Sequence, residues 1–556
     1  MFKRANLLFL MASIIFVMGC TNDSGESDEA ASAESEDQKT GDIVIGFDQD
    51  ISTIDPHGPN DVSGIQVRRQ MYQTLIAREV DMEYKPGLAV EWEQVEDDTW
   101  NFKLAEDVTF HNGSEFTAED VKASLERVND PSVSAPTVFL FDMIEDIEVV
   151  DDHEINITTA YPFAPLPNNL AHTAGSIMSK ESIDEDYQNA INQAGLDVSL
   201  EEYYDLRDEG NEEFEEVSEQ IASYTGEYIA GNPDGTNHVK FVSRSPGENI
   251  VFERFEEFTG ESAVDNLTFA IIPESGSMMA ELETGGVNVT TPVNMAMLDR
   301  VQENDDIELV EAESMRVHYL GFNTEKAPFD DENLRQAIHL ALSREEMQEG
   351  IFDGQATIPN SMLSSSVFGY NDELPPVEQD LDKAQELLDE TDVAEGFDAT
   401  LWVNDSEELM DVAVYIQEEL RDMNINLSIE QYETAAYLEL LGNGDHDMFL
   451  LNFTASTVDA DYLLSALTHS SNRGSAGNRS FYLNEEVDAA LENARSATDD
   501  ESRLEEYTTI HNILLEEVPY APLVHPNMTL AFNNEELEGV EIDAAGYIRL
   551  DNASFK

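Results

Sequence analysis

Trp100-Asn-Phe-Lys-Leu-Ala-Glu-Asp-Val-Thr-Phe-His-Asn-Gly-Ser-Glu-Phe-Thr-Ala-Glu-Asp-Val-Lys-Ala-Ser-Leu-Glu-Arg-Val128 is the stretch around which the chain is organised. Trp100, Phe102 and Leu104 alternate with polar neighbours at the period of a half-buried strand, and Val108 and Phe110 resume the alternation before a turn at Asn112-Gly113. Thr117 then caps a helix: Asp120 stands three residues on, in the first turn where free backbone N–H groups favour a carboxylate. Val121, Leu125 and Val128 follow at helical spacing. The local reading is strand, tight turn, capped helix.

The pairing of Val108-Thr109-Phe110-His111-Asn112-Gly113 with Phe116-Thr117-Ala118-Glu119-Asp120-Val121-Lys122 resembles the characteristic segment of the oligopeptide-, dipeptide- and nickel-binding family (family 5) of extracytoplasmic solute-binding proteins. The resemblance implies a periplasmic-binding-protein type II fold: two α/β lobes with a hinge, plus a small extra α+β domain. In that family the segment is structural, so it points to the fold and leaves the ligand open.

A length of 556 residues corresponds to roughly three or four units of about 150 residues. Hydrophobic residues make up 41%, as in a globular protein. With 28 Lys+Arg against 117 Asp+Glu the net charge is −89. That excludes nucleic acid as a partner, because such binding needs cations to neutralise phosphates. A surface so acidic repels itself until salt screens it, to a length of about 3 Å at 1 M. The expectation is halophilic adaptation, with an alkaline habitat or simply an acidic secreted protein as the alternative.

Lys3 and Arg4 precede an apolar run, Ala5 to Met18, of signal-peptide length. Val17-Met18-Gly19-Cys20 resembles a lipobox, which makes Cys20 the lipid-bearing first residue of the mature protein and 1–20 a lipoprotein signal peptide. Two acyl chains there would anchor the protein stably to the outer face of the membrane. Residues 21–41 are rich in Ser, Ala, Asp and Glu without periodicity and read as an acidic disordered tether. Cys20 is the only cysteine, so neither an internal disulfide nor a cysteine-based metal site is available.

The folded part divides, on pattern and resemblance, into a first lobe (42–82), the small domain (83–230), a return to the first lobe (231–312), the second lobe (313–524) and a C-terminal return (525–556). Within the small domain, Ala89–Trp92, Phe141–Ile144 and Ile155–Thr158 read as strands. The acidic stretch from Glu181 to Tyr228 reads as a solvated helical insertion, with Phe214, Val217, Ile221 and Tyr224 on one buried face. In the second lobe, helical faces such as Leu334, Ala337, Ile338 and Ala341 alternate with strand runs such as Thr400–Val403 and Ile425–Ile429, the pattern of an α/β unit. Crossings near Glu313 and Pro522 are the expected hinges.

The sequence carries no Gly-x-Ser-x-Gly, His-Glu-x-x-His, phosphate loop or Gly-x-Gly-x-x-Gly, and its eleven histidines lack ligand spacing. The reading is therefore a binding protein, without enzymatic activity, cofactor or bound metal. The best binding candidate is Met448–Tyr462, an apolar strand emerging into a polar loop. The resemblance implies an aromatic residue there, aligned with Phe453, and an aspartate for a peptide's α-ammonium, aligned with Ser456. Serine cannot neutralise an ammonium, so Asp459 or Asp461 is expected to take that role unless the ligand is not a free-amine peptide. Ser63 is implied on the ligand-facing side of the first lobe. Asn237 and His238 replace the family's Gly-Pro near the cleft, and Tyr432 and His525 match cleft-lining regions more loosely. The expected function is that of a monomeric lipoprotein that captures oligopeptides or dipeptides for an ABC permease. The alternatives are a non-peptide solute, such as an oligosaccharide or a nickel chelate, and a receptor for signalling peptides.

Overall fold

The computed structural model describes residues 39–59 and 61–556. The expectations for the signal peptide, Cys20 and nearly all of the tether fall outside the described residues. Gly41–Phe47, the apolar run after the tether, lies inside a seven-stranded sheet and pairs in parallel with Val264–Ile271 and Val289–Thr290. Asn249–Arg254 and Val239–Ser245 extend one side, while Met528–Asn533 and Ile307–Ala312 extend the other. Ile43 and Ile45 are fully buried, as expected of a strand covered on its core face.

A second, six-stranded sheet runs Ala356–Thr357, Tyr520–Pro526, Arg316–Phe322, Met448–Thr454, Phe397–Val403 and Ile425–Gln431. Its last two strands are parallel and are joined by the helix Glu407–Arg421, a βαβ unit. The chain passes between the two sheets twice, between Ala312 and Arg316 and at Asn527. The first crossing lies where the sequence suggests; the second lies beyond Pro522, because the strand continues to Pro526.

A four-stranded antiparallel sheet, Ala89–Glu96, Thr99–Leu104, Glu154–Thr159 and Ile144–Asp151, forms the small domain. Phe141 to Met143 lie in the turn before the last of these strands rather than in it. The helix Ala118–Val128 packs on this sheet, and Asp120 accepts hydrogen bonds from the Thr117 backbone N–H (2.8 Å) and hydroxyl (3.0 Å).

The acidic stretch differs from its reading as a solvated insertion of the small domain. Its helices, Lys180–Ala194, Leu200–Glu209 and Glu212–Ile221, bury Tyr187, Ile191, Tyr203, Phe214 and Ile221 in one cluster with Ile43, Ile45 and Phe269 of the first sheet. Polar groups weld them in place. Tyr187 and Tyr203 donate to buried Asp130 at 3.0 and 2.8 Å. Arg127, with no exposed surface, donates to Asp55 at 2.7 Å and to Asp186 at 3.1 Å. The carboxylates reach solvent on one face while the apolar face completes the first lobe's core.

Candidate ligand-binding cleft

The fold-deciding motif also builds the cleft. His111 receives the Gly235 N–H on Nδ1 (3.2 Å), so its Nε2 donates to the Asn237 carbonyl (2.9 Å). Burial pushes the ring down to about 4, which keeps it neutral. Residues 235–237 are thereby clamped onto the end of the helix Val62–Met71, where the Asn237 N–H donates to the Met71 carbonyl (3.0 Å) and Asn237 Nδ2 to the Arg69 carbonyl (2.7 Å). The approach requires glycine: a Cβ on Gly235 would stand 2.1 Å from the Met71 oxygen.

Behind this wall lies a cleft of about 300 Å³ between the lobes. The first lobe contributes Arg69, Tyr72, Asn237, His238 and the C-terminal turn Asp543 to Asp551; the hairpin of Ile76–Arg78 and Tyr84–Pro86 contributes Arg78 and Lys85; the second lobe contributes Ser456 and Val458. Arg69 lies 4.6 Å over the Tyr547 ring and pairs with Asp543 at 3.1 Å, which also accepts Arg549 at 3.5 Å. Arg549 pairs with Asp551 at 2.8 Å, and Lys85 with Glu79 at 3.4 Å. His238 bonds Gln70 Oε1 (3.0 Å) and Ser262 Oγ (2.9 Å), and burial lowers it to about 4, as it does His172. The cleft's charge at neutral pH is therefore set by its arginines, lysine and carboxylates. It can hold a small polar solute through groups of both signs, at the lower end of the size range for small-molecule sites.

The chain matches the family described as bacterial extracellular solute-binding proteins, family 5 Middle, over residues 83–475. It belongs to that family. It is 27% identical to the glutathione-binding protein GsiB of Salmonella typhi over 526 residues, covering 93% of this chain and 94% of that protein. Among solved structures it resembles HbpA2 of Haemophilus parasuis (TM-score 0.77, 24% identity, 93% of this chain and 100% of that one). It also resembles the ABC transporter-associated periplasmic binding protein DppA of Helicobacter pylori in complex with the peptide STSA (TM-score 0.73, 24% identity, 93% and 98%). The fold is that of the type II periplasmic binding proteins.

Within this family 5 member, the cleft brings together three of the residues read from sequence, Asn237, His238 and Ser456. The other six sit elsewhere. Ser63 is in the first turn of its helix, outside the lining. Tyr432 packs on Trp402, ring centres 4.9 Å apart, and Phe453 packs on Tyr462 at 5.1 Å. His525 is 1% exposed in the second sheet, its Nδ1 on the Arg316 carbonyl at 2.9 Å. Asp459 is 1% exposed and already engaged: Arg503 donates at 2.9 and 2.7 Å, Tyr507 at 3.1 Å and Asn168 Nδ2 at 2.8 Å. Asp461 is held by Arg495 at 2.9 and 3.2 Å. Both carboxylates are neutralised from inside the protein, which leaves neither open to a ligand's ammonium in this arrangement.

Sequence reasoning missed Arg69, Arg78, Asp543 and Arg549. A signal existed for the first two: in a chain with 28 basic residues, Arg68, Arg69, Arg78 and Lys85 crowd one short stretch.

Proposed function

We propose that this chain captures short peptides outside the cell for an ATP-driven importer, acts without enzymatic turnover, and is held at the membrane through a lipid on Cys20. The observation that carries the reading is the cleft between two lobes whose sheets the chain connects, among the described residues, at Ala312 to Arg316 and at Asn527. Two lobes hinged in this way can open to solvent and close on a solute, and closure needs only that the closed state bind the ligand better than the open one. The closed form then presents a surface made of both lobes to a permease. A volume of about 300 Å³ favours di- or tripeptides over long oligopeptides. Glutathione, the ligand in the name of the GsiB relatives, is of that size. No helix among the described residues is long and apolar enough to cross a membrane, so the Cys20 lipid is what would attach this reading's protein to one.

Native mass spectrometry of the form lacking residues 1–20, purified in high salt, tests this by weighing what co-purifies. Masses of short peptides support the reading. A single sugar or metal-chelate mass replaces it with a non-peptide cargo, and turnover of an added peptide replaces it with a hydrolase.

A further inference from the structure

Arg78 differs from the other cations of the cleft. Arg69, Arg549 and Lys85 each pair with a carboxylate of the protein. The Arg78 guanidinium has no carboxylate within ion-pair distance among the described residues. Its Nη2 alone is used, donating to the Asn168 backbone oxygen (3.3 Å), Asn168 Oδ1 (2.9 Å) and the Thr457 carbonyl (2.5 Å). Nε and Nη1 make no hydrogen bond among the described residues, and the guanidinium, 5.3 Å from the centre of the Tyr84 ring, lines the cleft with half of a planar fork suited to bidentate recognition unused. The adjoining wall is Ser456, whose hydroxyl is bonded to the Tyr462 side chain. The carboxylates behind it, Asp459 and Asp461, are consumed by Arg503 and Arg495. Glu261, which also lines the cleft, is exposed, and its side chain makes no ion pair or hydrogen bond among the described residues.

Resting on the peptide reading above, we propose that the end of the cleft at Ser456 is an anion site: Arg78 takes the ligand's free carboxylate, and the ligand's ammonium points to Glu261. The unpaired charges of the cleft are then one of each sign, the complement of a zwitterionic short peptide. The arrangement also couples recognition to closure. Thr457 belongs to the second lobe, so a carboxylate that orders the Arg78 fork fixes the bond that ties the hairpin to that lobe. A ligand without the carboxylate would lose both the ion pair and part of the drive to close.

Isothermal titration of dialanine, trialanine and glutathione, each as the free acid and as the C-terminal amide, tests this on wild type, Arg78→Gln and Arg78→Lys. The expected result is at least one free acid that binds tenfold or more tighter than its amide to wild type. That ratio should fall to within about twofold in Arg78→Gln and be kept in part in Arg78→Lys. The ratio is taken within each variant, so a general loss of stability cancels. Equal binding of acid and amide by wild type, or a full ratio in Arg78→Gln, overturns the assignment while leaving the peptide reading intact. If no peptide binds, glutarate is the probe in a thermal-shift assay. Stabilisation of wild type but not of Arg78→Gln keeps the anion site and discards the peptide. No shift in either overturns both.

Discussion

Asp459→Asn separates two roles for the loop after the Met448–Thr454 strand, as a ligand contact and as a structural keystone. Asp459 caps the helix Ala460–Thr468 by accepting the Asp461 N–H at 3.0 Å, and asparagine caps about as well, so that contribution survives. What is lost is the counter-charge of Arg503, itself 4% exposed and packed over the Phe368 ring at 4.5 Å. Burial acts to lower the Arg503 value, but the attraction of Asp459 and Tyr507 outweighs it and holds the guanidinium above its ordinary range. Removing one partner of such a pair leaves an uncompensated buried charge and costs about 3–5 kcal/mol. That is a large share of the roughly 5–15 kcal/mol that holds a folded domain. Urea titration followed by tryptophan fluorescence in high salt should show this loss, and Asp459→Asn with Arg503→Met should recover much of it, because the pair is then replaced by apolar packing. Ligand affinity, measured where the variant is fully folded, should change less than threefold. A variant within about 1 kcal/mol of wild type that binds peptide tenfold more weakly would refute the argument and return Asp459 to the ligand.

Three further outcomes are expected. Stability should be level from pH 8 to 6.5 and fall below that. His57 and His318, each 2% exposed, are lowered to about 3 by burial, and His111, His172, His238 and His446 to about 4, so between these values and about 6.5 the unfolded chain binds more protons than the folded one. Each of the first two should cost about 2 kcal/mol by pH 5, and a urea midpoint unchanged from pH 7 to 5 would contradict this. With a net charge of −89, the urea midpoint should rise between 0.1 and 1 M NaCl as the screening length falls from about 10 to 3 Å; equal midpoints would remove the case for salt adaptation. Gly235→Ala should destabilise the protein by about 1–3 kcal/mol and weaken ligand binding, since the new methyl must push residues 235–237 off the end of the Val62–Met71 helix; unchanged thermal stability would show that the wall can yield.

Trp100 to Val128 was legible because its signals are local. Alternating apolar residues, Asn112-Gly113 with Gly113 at φ 89°, and Thr117 with Asp120 each fix a few neighbouring dihedrals by sterics and short-range hydrogen bonds, and the strand, turn and capped helix follow. The same logic yielded the alternating helices and strands of the second lobe. The acidic helices were read correctly as helices but not in their placement. Periodicity shows that Phe214, Val217 and Ile221 share a face and is silent on what covers it. The cleft is less local still. Arg69 meets Asp543 across 474 residues, and Arg78 reaches Thr457 across 379. Whether Asp459 faces a ligand or Arg503 depends on which helix packs behind the loop. Tertiary packing alone decides which charges are satisfied within the protein and which are left for a solute.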